Sequence, residues 1–221
     1  GSEMCIRDRI LLGDVFIRGG SSSGTHVLEE GRPIGQFYGL VCNGIDENGR
    51  YIMVDKDGDG EISDPADYDY IGSAQPKLTY GITNTFRYKN FDLSFFLRGT
   101  IGNDILNATR MAYAQSGFLP GTNALDDPLT YTLSETPRFS NYYLEKGSFM
   151  RLDNLTLGYK IKALNGIRVY FTAQNLFVIT KYKGLDPEVP MDSGDGLTPG
   201  VEPREFYPKA RTFSVGLNLN F

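Results

Sequence analysis

Residues 209–221 read KARTFSVGLNLNF, and this stretch decides the fold. Phe213, Val215, Leu217, Leu219 and Phe221 alternate with Thr212, Ser214, Gly216, Asn218 and Asn220. Successive side chains of a strand point to opposite faces, so a period of two over this length predicts a strand with one apolar and one polar face. The apolar row runs to the terminal aromatic. A soluble sandwich strand can alternate in the same way, but it seldom leaves a Phe exposed at its end.

The same alternation recurs upstream. Tyr80, Ile82, Phe86 and Tyr88 alternate with Thr79, Thr83, Thr85 and Arg87, with Asn84 the one polar intruder on the apolar row. After Lys89-Asn90 come Phe91, Leu93, Phe95, Leu97 and Ile101 against Asp92, Ser94, Arg98 and Thr100, which predicts a hairpin closed by a tight turn. A second hairpin runs from Leu155, Leu157, Tyr159 and Ile161 through Ala163-Leu164-Asn165-Gly166 into Ile167, Val169, Phe171 and Ala173. Residues 34–42 form a less regular strand, Ile10 to Arg18 is a candidate for another, and no window shows a helical period.

The spacing between strands carries as much as the strands. Short turns near 89–90 and 162–166 alternate with long Gly/Pro/Asp-rich segments near 43–77, 102–148 and 181–208. Loops this long are uncommon in compact soluble domains, whereas transmembrane barrels pair short periplasmic turns with long extracellular loops. With the C-terminus periplasmic, every long loop falls on the outside. The expected fold class is all-β: an antiparallel transmembrane β-barrel fragment with long extracellular loops. It holds about six or seven strands of a larger barrel, since membrane barrels start at about 8 and must close to satisfy their edges.

Composition agrees once the strands are understood. Among 221 residues, 22 Lys+Arg face 27 Asp+Glu, for a net charge of -5 and no basic run, so no nucleic-acid partner is expected. Two cysteines make neither a disulfide framework nor a zinc module, and Cys42 reads as a small buried hydrophobe. A hydrophobic content of 40% and a mean hydropathy of -0.29 would suit a soluble domain. A barrel strand is half polar by construction, however, and polar loops dilute it further. The string GSEMCIRDR at 1–9 fits nothing downstream and is read as a non-native scar or tail. Residues 10–221 are then the 3′ portion of a longer gene's product.

One stretch carries metal chemistry. In DKDGDGEISD (55–64), Asp55, Asp57 and Asp59 at alternate positions precede Gly60, as in the first half of an EF-hand-type calcium loop. The carbonyl of Glu61 would follow, Ser63 holds the ninth position, and Ala66 stands where a bidentate Glu is normal, with Asp64 and Asp67 nearby. Asp55, Asp57, Asp59, Glu61 and Asp64 are the candidate Ca²⁺ ligands, and a solvated acidic turn is the alternative. Catalytic patterns are missing: no GxSxG, HExxH or phosphate-cradling loop occurs, and the carboxylate pairs Asp126-Asp127 and Glu29-Glu30 are expected by chance. His26 reads as an exposed loop residue. Tyr142, Tyr143 and Phe139 are candidate substrate-stacking residues, with Phe118 and Tyr182 beside them; interface girdle or packing is the competing reading.

The runs GRPIGQFYGLVCNGI (31–45), IGSAQPKLTYGITNTFRYKNFDLSFFLRGTIG (71–102), FMRLDNLTLGY (149–159) and VYFTAQNLFVITKYKGLDPE (169–188), followed by the aromatic final strand, resemble the C-terminal part of SusC/RagA-type TonB-linked outer-membrane proteins. The resemblance covers nearly everything from Gly31 onward. It implies a roughly 22-stranded barrel in the outer membrane of a Bacteroidota-type bacterium, importing glycans or peptides with energy delivered through TonB. It further implies a SusD-like lipoprotein partner, a plug and TonB-binding segment N-terminal to these residues, and a barrel-assembly role for Phe213, Val215, Leu217, Leu219 and Phe221. The family's acidic loop is no universal metal site. The competing class is a soluble extracellular β-sandwich that binds carbohydrate with structural calcium.

Overall fold

A computed structural model describes residues 17–19, 24–29, 31–63, 65–119, 121, 123–161, 167–189, 198–203 and 207–219. The 1–9 tail, most of 10–18, Asp64, the 162–166 turn, the Phe118 side chain and Phe221 lie outside them.

In chain order the elements are β1 (Ile17–Gly19), β2 (His26–Leu28), β3 (Gln36–Leu40), β4 (Cys42–Ile45), β5 (Tyr51–Met53), β6 (Tyr68–Ser73), β7 (Leu78–Tyr88), β8 (Phe91–Ile101), β9 (Asp104–Leu106), α1 (Ala108–Tyr113), α2 (Pro128–Thr132), β10 (Leu144–Lys146), β11 (Phe149–Ile161), β12 (Ile167–Thr180) and β13 (Thr212–Asn218). The five long strands make one antiparallel sheet in the order β13-β12-β11-β8-β7. Tyr88 pairs with Phe91, so Lys89-Asn90 is a two-residue turn, with Lys89 in the left-handed region at φ 54.

Register places the apolar rows side by side. Ile82 lies opposite Leu97, Leu93 opposite both Phe86 and Leu157, and Leu157 opposite Phe171, which faces Val215 on β13. A bulge at Asp153, against Asn175 on β12 (φ 52), inserts a residue that keeps Leu152 and Leu155 on the same face. This face inverts a soluble sheet: Val215, Leu217 and Phe213 are 76%, 62% and 58% exposed, while the fully buried Arg151 lies on the opposite face. Aromatics gather towards the short-turn end, where Phe91 packs on Tyr159 with centroids 4.6 Å apart beside exposed Tyr88. Among the described residues, β7 and β13 pair with no further strand on their outer edges. Among the described residues no helix is long and apolar enough to cross a membrane, which says nothing of crossing by strands.

The other end holds the short elements, in a β1-β2-β3-β6 sheet and the ribbons β4-β5 and β9-β10. Here burial is of the ordinary kind. Phe37, Ala74, Leu106, Ala114, Leu129 and Tyr143 form a core, with Tyr51, Ile71, Phe139 and Tyr142 packed against it. Asn107 caps α1 by accepting the Arg110 amide at 2.8 Å, and Asp127 caps α2 by accepting the Leu129 amide at 2.9 Å, ahead of Pro128 at the first helical position. Segments 43–77 and 102–148, expected as irregular loops, are therefore folded. Their strands and helices run only three to six residues, too short to show a period, and tertiary packing stabilises them. The expected 34–42 strand is divided at Val41 into β3 and β4.

Candidate functional site

The polar face of the long sheet carries its cross-strand hydrogen bonds and ion pairs. Thr156 and Thr172 hydrogen-bond across β11 and β12 at 3.1 Å, and at the short-turn end Arg168 donates to Asp92 from Nε and Nη2 at 2.9 and 2.5 Å. Tyr170 lies over Gly216, where a Cβ would come within 2.4 Å of the ring, so only glycine admits it.

At the long-loop end the segment carrying Asp186 and Glu188 is tied onto this face. Arg151 binds Asp186 at 2.5 Å and also Asn175 at the bulge, and its Nε sits 3.5 Å from Glu188. Arg98 holds Asp153 at 3.1 Å and grips Glu188 with two nitrogens, and Lys209 reaches Glu188 as well. Burial pushes the Glu188 carboxyl up, but the hydrogen bonds from Arg98 and Lys209 outweigh it and hold the group below its ordinary range. A cavity of about 240 Å³ lies against this network, lined by Thr79, Arg98, Thr100, Asn103, Phe149 and Glu188. Sequence reasoning missed the network because its partners come from β8, β11, β12 and a distant loop; the only trace was the GLDPE run at 184–188.

The acidic turn is organised. Asp55 accepts the Gly58 amide at 2.6 Å and the Gly60 amide at 2.9 Å, and Asp59 accepts the Glu61 amide at 2.8 Å. Oxygens of Asp55, Asp57 and Asp59 lie within 4.8 Å of one another, all exposed. Gly58 and Gly60 take φ 79 and 88, which L side chains rarely adopt. Buried Asp67 closes the turn by accepting the Ser63 and Lys56 amides at 2.7 Å each, and these bonds hold its carboxyl below the usual range. Hard oxygens at this spacing suit Ca²⁺. Asp64 lies outside the described residues.

The three candidate stacking aromatics fall together, but in the loop core. Tyr143 is 0% exposed and hydrogen-bonds Tyr51 hydroxyl to hydroxyl at 2.5 Å, so its ring is a packing element with no face free for a sugar. Phe139 lies against the Gly39 backbone, and Tyr142 packs edge-on to Tyr143 at 5.6 Å. Tyr182 is buried with Ile105 and Val189. His26 is likewise buried rather than exposed: Nδ1 meets the Thr25 hydroxyl and Nε2 the Pro199 carbonyl, both at 2.9 Å, and the ring packs on Phe37. On the final strand, Phe213, Val215, Leu217 and Leu219 are all exposed.

No family model matches the chain. Among curated proteins, TonB-dependent receptor SusC of Bacteroides thetaiotaomicron is 36% identical over 228 residues, covering 95% of this chain and 21% of its own length. TonB-dependent receptor P3 of Formosa agariphila is 34% identical over 237 residues, covering 89% and 23%. Solved structures of the RagAB peptide transporter (TM-score 0.68, 25% identity) and of the RagAB peptide importer in its closed-closed state (TM-score 0.70, 24% identity) share the fold, over 90% and 94% of this chain and 24% and 25% of theirs. The chain thus spans between a fifth and a quarter of the length of the proteins it matches. Its five exposed-apolar strands are a stretch of transmembrane β-barrel wall, and the chain belongs to the SusC/RagA family of TonB-dependent outer-membrane receptors.

Proposed function

We propose that the chain is part of an outer-membrane, TonB-dependent importer of glycans or peptides, in which it forms barrel wall and substrate-facing loops and catalyses no reaction. One observation carries this: apart from Asn84 the long sheet exposes an apolar row on one face and carries a mainly polar row on the other, an arrangement that suits lipid on one side and a wet lumen on the other. The short turn at Lys89-Asn90 and the end of β13 are periplasmic, and the folded loop end is extracellular. That end offers its surface to substrate and to a SusD-like lipoprotein, while TonB acts through a part of the receptor outside these residues. The likeness to the RagAB peptide transporter supports peptides as the cargo, with glycans the alternative class. Either cargo would pass the Thr-rich polar face.

The test is fractionation of the intact receptor, expressed from its whole gene in a host with an outer membrane, followed by uptake in a strain lacking TonB. Recovery in the outer membrane with heat-modifiable gel migration, and uptake lost without TonB, are expected. A soluble monomer would instead identify a β-sandwich module. For the 55–63 turn, Ca²⁺ is the cation its oxygens suit. Calcium is expected to raise the thermal stability of the receptor's extracellular part in a way that Asp55→Asn abolishes, and an unchanged melting curve refutes it.

A further inference from the structure

At the loop end the apolar row of the long sheet gives way to lysines. Tyr80, Gly99, Met150 and Ile179 lie opposite one another across β7, β8, β11 and β12, which places Tyr80 and Ile179 on the apolar row, and Ile101 follows two residues beyond Gly99. With Lys146, Ser148 and Lys181 they line one open pocket of about 460 Å³, to which the adjoining rung of Thr100, Phe149 and Thr180 also contributes. Ile101 and Ile179 are 48% and 59% exposed, and no acidic side chain lines the pocket. The Lys146 side chain is 76% exposed and reaches Asp104 at 2.7 Å. Lys181 is exposed and has no ion-pair partner among the described residues. A lysine at the border of an apolar band lays its methylenes on the apolar side and holds its charge at the level of lipid headgroups.

We propose that this pocket binds a lipid of the outer leaflet that carries a phosphorylated headgroup, with a phosphate held by Lys146 and Lys181 and an acyl chain lying on Tyr80, Ile101 and Ile179. The proposal rests on the barrel-wall reading, which turns this face to lipid and this end to the outer leaflet. Charge decides the headgroup. On the opposite face of the same end, Arg98, Arg151 and Lys209 are matched by Asp153, Asp186 and Glu188. Lys146 and Lys181 have between them only Asp104, which also accepts the Ser73 amide. A lysine ammonium is a compact point charge that suits phosphate. The apolar bed decides the rest of the ligand: a free anion would leave Ile101 and Ile179 bare, and a neutral lipid would leave Lys181 uncompensated.

The test uses the full-length receptor in nanodiscs of phosphatidylcholine alone or of phosphatidylcholine with diphosphoryl lipid A, acetylated by a water-soluble reagent and read by peptide mass spectrometry. Lipid A is expected to suppress acetylation of Lys146 and Lys181 while the loop residue Lys56 reacts as before, and inorganic phosphate added to discs without lipid A is expected to protect neither. Native mass spectrometry should find lipid A retained by the parent and lost from the Lys146→Gln, Lys181→Gln double variant, with heat-modifiable migration unchanged. The proposal is overturned if both lysines react equally in the two kinds of disc, if inorganic phosphate alone protects them, if Lys56 is protected to the same degree, or if the folded double variant retains as much lipid A. A receptor that fails to enter discs contradicts the barrel reading as well. One that enters them, with Leu93→Cys and Leu97→Cys labelled from lipid, yet shows no protection contradicts the lipid site alone.

Discussion

The long sheet and the loop end are built from the same residue types by opposite rules. In the sheet, Ile82, Phe86, Leu157 and Val215 face outward and the largest fully buried side chain is a charged Arg151; in the loop end, Phe37, Leu106 and Tyr143 are inside and the carboxylates of the 55–59 turn are outside. Solvent explains the difference. Wall side chains are sorted by lipid against lumen, so backbone groups must be satisfied by strand pairing and polar groups by each other. The loop end meets water on its outside, so it buries an apolar core as a soluble domain does. Arg151 stands where the two rules meet, pinning Asp186 of the connecting segment onto the wall.

That junction should show the largest effect. Arg151→Ala leaves Asp186 buried without its cation, a change that costs about 3–5 kcal/mol in comparable buried pairs. Limited proteolysis of the receptor should then cut near 182–189 at protease levels the parent withstands, with the long strands still protected. Next is the wall's two-sidedness. Leu155→Arg, on the outward row, should cost about 2–4 kcal/mol near mid-membrane and reduce folded, heat-modifiable receptor, whereas Thr156→Arg, its polar-face neighbour, should leave assembly nearly unchanged. Equal damage from both would break the comparison. The smallest effect concerns the 55–67 turn. Because amide hydrogen bonds depress the Asp67 carboxyl in the folded chain, its contribution is complete above the unfolded value of about 4 and is lost as pH falls through the lower folded value. Acidification through that window should raise amide exchange at Lys56 and Ser63 in the parent, and Asp67→Asn should remove the pH dependence.

These contrasts also explain what the sequence disclosed. The wall was legible because lipid and lumen impose a strict period of two, and Phe213, Val215 and Leu217 display it openly. The acidic turn was legible because its donors are local: Asp55 bonds Gly58 and Gly60 within five residues. The loop core was not, since its elements are too short to carry a period and its contacts are long-range. His26 sits in a polar run, SSSGTHVLEEG, yet is buried by a carbonyl 173 positions away. Of the residues read as a stacking platform, Tyr143 is fully buried against the Tyr51 hydroxyl, while Tyr142 is only partly buried.

The central claim is that one face of the long sheet meets lipid and the other the lumen. It is tested most directly by single cysteines from 91 to 101 in the intact receptor, in outer membranes, probed with a water-soluble maleimide and with a lipid-dissolved one. Label should alternate residue by residue: the aqueous reagent at Ser94 and Thr100, and the lipid reagent at Leu93, Phe95 and Leu97. Aqueous labelling at both sets, or at neither, would contradict a membrane wall.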